Sequence, residues 1–391
     1  MELRVRLRQR RMFELVSVGV FLLAVGAPLF GLFFCTPGRL DENRERYAFP
    51  PLAPKKYVLQ DFPKHFEMYL GDAIGFRDVL LGWHRRFVFG ALSQPVTAKV
   101  WIGKDGWLFV NQTDPFLGNP KKPSAGERVE QWAEAYAERE AWLKARGIDY
   151  IVVVAPDKAA VYPEFLRGYP SRHPPLEMGT SLAGQLNARG VKCLNLLPTL
   201  LAEKERNPNP VYFKTDSHWT HDGSRAAYRA VAEVIRARFP DFVPKPDSEY
   251  HSVEAPAWCD LRKLAGLVEA EERGTARFLE PRTPFQLQDT PDYFAKSPAS
   301  DHLNLLPSTV TETPTATGPR LLFLGDSFGH HLLPFLQSDF RRAAVLNSYG
   351  LPPEAVRIER PKLVIQLLVA RQLYSVIPYN SPEIKSEVRG R

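Results

Sequence analysis

Leu15 to Phe34 reads LVSVGVFLLAVGAPLFGLFF, twenty residues without a charge. That length matches the hydrocarbon core of a bilayer, about 30 Å thick. Arg4, Arg6, Arg8, Arg10 and Arg11 crowd the stretch just before it. A buried core helix is a poor fit so close to five arginines. A membrane-spanning helix satisfies both observations, because all its backbone hydrogen bonds close inside the segment. Pro28 adds a kink that such helices tolerate. The positive-inside bias keeps the arginines in the cytoplasm and sends the rest of the chain across.

A cleaved signal peptide also has a basic start and an apolar run. This run is long, however, and no small-x-small site follows it. Phe33-Phe34 stand before Cys35, where a lipoprotein signal needs small residues. The expected order is therefore a cytoplasmic basic tail at 1–12, an uncleaved anchor at 13–35 and a juxtamembrane linker at 36–60. The main domain follows at 61–375, and a polar, loose tail at 376–391.

The formal net charge of +7 owes much to the leading arginines. The remainder is only weakly basic and carries no basic-aromatic motif, so nucleic acid is not an expected partner. The three cysteines form no CxxC pair, which leaves zinc and redox motifs unsupported. Cys193 and Cys259 could pair in an oxidising compartment, and sequence leaves open whether they meet.

Past the linker, Phe62 to Phe89 has helical spacing: Phe62, Phe66, Tyr69 and Leu70, then Val79, Leu80, Trp83 and Phe87. VWIGKDGWLFV at 100–110 reads as a hairpin turning at Lys104-Asp105-Gly106. A helix is expected over 124–146, with Val129, Trp132, Tyr136 and Leu143 on one face and Gly147 as terminator. YIVVVA at 150–155 is an apolar β-branched run of the kind buried in parallel sheets. A helix at 180–189, a strand at 191–196 and a helix capped by Asp222 come next. Strands at 321–324, 343–347 and 363–369 flank a helix starting near Phe328. This alternation argues for an α/β fold with a mostly parallel sheet. Residues 240–316 break it, as a proline-rich insertion with little regular helix.

Two short motifs carry chemistry. In Leu321-Leu322-Phe323-Leu324-Gly325-Asp326-Ser327, an apolar strand ends in a serine, at the sheet edge where α/β proteins place their sites. Its own N–H and those of its neighbours could face a developing oxyanion. The plain alternative is that Ser327 merely caps the next helix. In Thr215-Asp216-Ser217-His218-Trp219-Thr220, an acid and a base sit two apart. Serine needs a base to take its proton, and a carboxylate fixes that base's tautomer. On an extended segment, residues two apart share a face, so Asp216 could hold one ring nitrogen of His218 while the other meets Ser327. The alternatives are a surface turn or half of a metal site, for which no third ligand is evident. Neither a metal nor a cofactor is expected. Lys158, Tyr162, Trp219, His221, His330 and His331 are secondary candidates. For these, packing, ion pairing or an exposed helix face competes with substrate contact.

Taken in order, the motifs resemble the SGNH-hydrolase-like branch that includes the alginate O-acetyltransferases of the AlgJ and AlgX type. The resemblance runs over residues 60–375. It rests on Gly75-Phe76-Arg77, Gly103-Lys104-Asp105-Gly106-Trp107-Leu108-Phe109, Pro156-Asp157-Lys158 with Tyr162-Pro163-Glu164, Thr215 to Thr220, and Gly325-Asp326-Ser327. It implies a three-layer SGNH-hydrolase-like fold with permuted motif order, in which Asp and His precede Ser. It further implies a catalytic triad of Ser327, His218 and Asp216 that moves an acetyl group to an exported or cell-envelope polysaccharide. The donor would be a membrane-embedded O-acyltransferase, and the catalytic domain would face the periplasm from a single-pass anchor in the bacterial inner membrane. An acetyl esterase and a non-catalytic polysaccharide-binding subunit are the alternatives. The family often carries a Glu-Arg pair on its last strand, where this chain has Val369-Ala370-Arg371. The chain ends soon afterwards, so a carbohydrate-binding module is not expected, as in the AlgJ type.

Overall fold

The computed structural model describes residues 2–34, 47–50, 58–92, 99–111, 123–166, 174–256, 259–265, 275–289 and 308–390. Most of the expected linker at 36–60, together with Cys35, lies outside these residues. The chain forms two compact units, Met1–Val96 and Thr97–Arg391.

In the first unit, one helix runs from Glu2 to Phe34. Its stretch Arg11–Pro28 has a mean hydropathy of 1.6 and is long and apolar enough to cross a membrane. The single helical pattern read over 62–89 is two helices, Val58–Ala73 and Arg77–Leu92. The break falls at Gly75 and Phe76, where Phe76 has a left-handed φ of 59° that helical backbone does not permit.

Among its described residues, the second unit contains eleven strands: β1 (Val100–Ile102), β2 (Leu108–Val110), β3 (Asp149–Ala155), β4 (Cys193–Asn195), β5 (Tyr250–Pro256), β6 (Thr275–Pro281), β7 (Gln286–Gln288), β8 (Thr309–Glu312), β9 (Gly318–Gly325), β10 (Phe340–Asn347) and β11 (Leu363–Val369). Seven of them form one sheet in the order β4-β3-β11-β9-β10-β8-β7. The first five are parallel, and β8 and β7 extend the edge antiparallel. The sheet is therefore mixed, with a parallel centre.

Alternation along the strands creates three layers. Ile151 and Val153 of β3, Phe323 of β9 and Ile365 of β11 face one core, beneath the helices His221–Arg236 and Leu333–Asp339. Val152, Val154, Leu322 and Val364 face the other, beneath Ala125–Lys144 and Pro174–Ala188. Each fully buried aliphatic side chain contributes about 1.5–3 kcal/mol. This double burial explains why the central strands read as continuous apolar runs.

Local signals account for several boundaries. Ser124 and Glu127 close a capping box on the helix Ala125–Lys144, and Gly147 turns the chain away with a φ of 64°. The helix expected to be capped by Asp222 is capped by Thr220, whose hydroxyl accepts from the Gly223 N–H. Asp222 sits inside the first turn and pairs with Arg225 instead.

Among its described residues, the segment 240–316 supplies β5 to β8 and, as helix, only short pieces such as Asp260–Leu264. β5 and β6 pair antiparallel, and β7 and β8 join the main sheet. Residues 257–258, 266–274 and 290–307 of it lie outside the described residues. The tail expected to be loose forms the helix Pro382–Arg389, with Ile384 buried against the core. Cys193 and Cys259 are both buried free thiols.

Candidate active site

Ser327 stands just past the end of β9, at the parallel centre of the sheet. Gly325 is required there for space: a Cβ would lie 2.9 Å from the Phe323 ring. The buried Asp326 carboxylate accepts from the Phe328 N–H at 3.0 Å and from the Val369 N–H at 2.8 Å. It thus ties the turn to the neighbouring strand β11. The chain then makes a 3-10 turn, Ser327–Leu332, before the helix Leu333–Asp339 begins. The expectation that neighbouring N–H groups face an oxyanion needs correction for two of them. Those of Phe328 and Gly329 already donate to the Asp326 side chain and carbonyl.

His218 lies on a loop of bends flanked by the bridge between Tyr212 and Trp219. Its Nε2 is 2.7 Å from Ser327 Oγ, and its Nδ1 is 2.6 Å from Asp216 Oδ1. The three residues singled out by the sequence, Asp216, His218 and Ser327, therefore converge. The local geometry differs from the extended segment expected. Asp216 Oδ1 also accepts from the backbone N–H of His218 at 2.9 Å, an Asx-type turn that folds the carboxylate back along its own loop.

Three further residues hold this loop. Lys158 is buried and donates from Nζ to the carbonyls of Phe213, Lys214 and Asp216 at 3.0, 3.2 and 2.7 Å. Asp260, from the 240–316 segment, donates its N–H to Asp216 Oδ2 at 2.8 Å. Its carboxylate accepts from Ser217 N and Oγ at 2.6 and 2.5 Å. Arg371 pairs with Asp157 at 2.9 Å and reaches Ser217 Oγ at 3.4 Å. Lys158 was legible as a candidate from Pro156-Asp157-Lys158. Nothing local marks Asp260, because it reaches the site only through the fold.

Burial and charge shape the titration. Burial alone would lower the pKa of His218, but the bond to and charge of Asp216, together with Asp260, outweigh it and raise the pKa. Burial would raise Asp216; the bond to His218, its charge and two backbone N–H groups more than offset that, holding Asp216 well below the usual carboxylate range. Asp260 is raised, by burial first and by the Asp216 charge second. Burial pulls Lys158 down to about 7 against the attraction of Asp260 and Asp216.

The ligand atoms of Asp216, His218 and Asp260 lie within 4.8 Å of one another, so Asp260 is the third candidate metal ligand that the sequence did not reveal. Both ring nitrogens of His218 are already engaged, and a cation here would compete with the Asp216 bond.

Among the secondary candidates, Tyr162 is packed on Trp107 and its hydroxyl accepts from the Val211 N–H. Trp219 is buried against Phe328. His330 and His331 do not form an exposed helix face. With His221, Phe278, Phe285 and Gln337 they line a cavity of about 540 Å³. His331 stacks on Phe278 with ring centroids 5.7 Å apart, and its ring centroid is 6.1 Å from that of His218. Burial, aided by the nearby His218, lowers His330 to about 4 and His331 well below its ordinary value.

The family described as SGNH hydrolase-like domain, acetyltransferase AlgX, matches residues 100–348. The chain belongs to this family. Among curated AlgX-family relatives, the probable alginate O-acetylase AlgJ of Pseudomonas aeruginosa is 31% identical over 140 residues, covering 34% of this chain and 32% of that protein. The alginate biosynthesis protein AlgX of Pseudomonas aeruginosa is 29% identical over 153 residues, covering 38% and 30%. The matched stretch thus spans about a third of the length of these relatives. The structure of Bacillus cereus PatB1 superposes with a TM-score of 0.53 and 18% identity, over 70% of this chain and 96% of that one. That likeness shows a shared fold.

Proposed function

We propose that this chain is a serine O-acetyltransferase that acetylates hydroxyl groups of a polysaccharide. The observation that carries the reading is the unbroken relay from Asp216 through His218 to Ser327, with links of 2.6 and 2.7 Å. Such contacts allow the ring to take the serine proton while the carboxylate steadies the imidazolium. The names of the AlgJ and AlgX relatives favour an acetyl group and a polysaccharide acceptor over other acyl chemistry.

In the first half-reaction, Ser327 Oγ attacks the donor's acetyl carbonyl carbon and its proton passes to His218 Nε2. The tetrahedral adduct collapses, and the departing donor oxygen takes that proton. In the second half, a sugar hydroxyl loses its proton to His218 and attacks the acetyl-serine. The ester forms on the sugar, and Ser327 recovers its proton. Asp260 and Lys158 act as positioning residues, since both bond to the loop that carries the base. The cavity beside His331 is far larger than an acetyl group and is flanked by aromatic rings, which suits a sugar residue.

We assign residues 1–12 to the cytoplasm, 13–35 to a single-pass inner-membrane anchor, 36–60 to a linker, and 61–375, with the 240–316 insertion, to a periplasmic catalytic region. The arginine cluster before the apolar run supports that orientation. A membrane-embedded O-acyltransferase would then present the acetyl group.

Intact-mass analysis after incubation with an activated acetyl ester tests the reading. One acetyl adduct on the wild type, none on Ser327→Ala, and faster clearance by an oligosaccharide than by water are expected. Equal clearance by water would replace transferase with esterase. An adduct that survives Ser327→Ala would refute the assigned nucleophile.

A further inference from the structure

The two short helices of the first unit treat their apolar residues differently. Phe62, Phe66 and Tyr69 of Val58–Ala73 are half-buried and form an aromatic cluster, with Phe49 packed edge-on against Phe66 and Tyr69. On Arg77–Leu92 and the residue before it, Phe76, Val79, Leu80, Trp83 and Phe87 are exposed, Trp83 at 69% and Phe87 at 61%. At 3.6 residues per turn these five fall on one stripe, about 100° wide. Such a stripe in water marks a surface that something apolar covers.

The covering phase is indicated by where this helix starts. The Gly75 N–H donates to the Pro28 carbonyl at 3.0 Å. Gly31 and Gly75 approach so closely that a Cβ on Gly31 would lie 2.7 Å from the Gly75 Cα. The turn before Arg77 is therefore fastened to the end of the apolar stretch Arg11–Pro28. On the anchor itself, Phe13 at 74% and Leu23 at 69% are bare in the same way, as lipid-facing side chains are. The exposed apolar surface thus continues from the spanning helix onto the next helix but one.

We infer that Arg77–Leu92 lies along the membrane–water interface where the anchor ends, with Phe76, Val79, Leu80, Trp83 and Phe87 inserted among the lipid acyl chains. A stripe this narrow suits a helix that lies on a bilayer rather than one that crosses it. Tryptophan is the residue favoured at that depth. The inference rests on reading Glu2–Phe34 as a membrane anchor. Its consequence is that the following chain starts from a two-point attachment rather than from a swivel.

The test uses the full chain in vesicles whose acyl chains carry bromine, a short-range quencher of tryptophan fluorescence. Wild type and Trp83→Phe are compared after flotation and a carbonate wash. Greater quenching of the wild type than of Trp83→Phe is expected, because that substitution removes the tryptophan placed in lipid. Equal fractional quenching, with both proteins still floating after the wash, would overturn the interfacial helix while leaving the anchor intact. The stripe would then be covered by protein, either the second unit or a membrane partner. Loss of both proteins to the wash would overturn the anchor and the inference together.

Discussion

Ser327 and His218 meet at 2.7 Å, yet the chain brings them there by different means. The serine follows the central strand β9, buried on both faces, and one carboxylate, Asp326, ties its turn to β11. The histidine sits on a loop that belongs to no strand or helix. Contacts from three distant segments fix it: Lys158 after β3, Asp260 from the 240–316 segment, and β2, whose Leu108 N–H donates to the Lys214 carbonyl. Ser327 inherits its position from the core, while His218 depends on a buried polar network in which every member must be satisfied.

The predictions test that contrast. Ser327→Ala should lower turnover by about 10³-fold or more with an unchanged melting curve; a comparable fall in melting temperature would show that the serine side is not independently held. Lys158→Met should reduce turnover by on the order of 10²-fold, the scale of a displacement near 1 Å. It should also destabilise the fold by about 1–3 kcal/mol by leaving buried carbonyls without a donor. Denaturant unfolding and steady-state kinetics on one preparation check both effects, and near-normal turnover would remove Lys158 from the network.

Gly325→Ala should cost about 1–3 kcal/mol by overpacking Phe323, measured by denaturant unfolding. The surviving folded fraction should keep its acetylation by active-site titration. Asp260→Asn should have the smallest effect on rate and the clearest on pH. The folded pKa of His218 is raised, and its protonated form is inactive as a base. Activity therefore falls on the acid side at a higher pH than an ordinary histidine would give. Removing the Asp260 charge lowers that pKa, so the acid limb of kcat/KM should move to lower pH. An unmoved limb would confine Asp260 to a purely steric role.

The same contrast explains what the sequence could convey. Gly325-Asp326-Ser327 follows a readable strand and Asp216-Ser217-His218 precedes a readable helix, so the three residues are legible from local pattern alone. The β3, β9 and β11 runs were legible because burial on both faces leaves them continuously apolar. Asp260 was not, since it follows Cys259, which has a left-handed φ of 48°, in a proline-rich stretch without periodicity. The break at Gly75 was hidden because Phe62 to Phe89 keeps helical spacing across it. Thr220 displaced Asp222 as the cap because one hydroxyl two residues earlier reaches the orphan N–H of Gly223.

Arg139 lies in the core with no exposed surface. Its guanidinium donates to Gln366 Oε1 at 3.0 Å on β11, to Asn380 Oδ1 at 2.7 Å and to the Tyr379 carbonyl at 2.9 Å. All three acceptors belong to residues made more than two hundred positions after the arginine. Until they emerge, burying the guanidinium would leave it without these three acceptors, at a cost of about 3 kcal/mol or more. The order of synthesis thus makes the segment 366–380 a completion signal for the residues before it: the sheet reaches its full stability only once that segment has arrived.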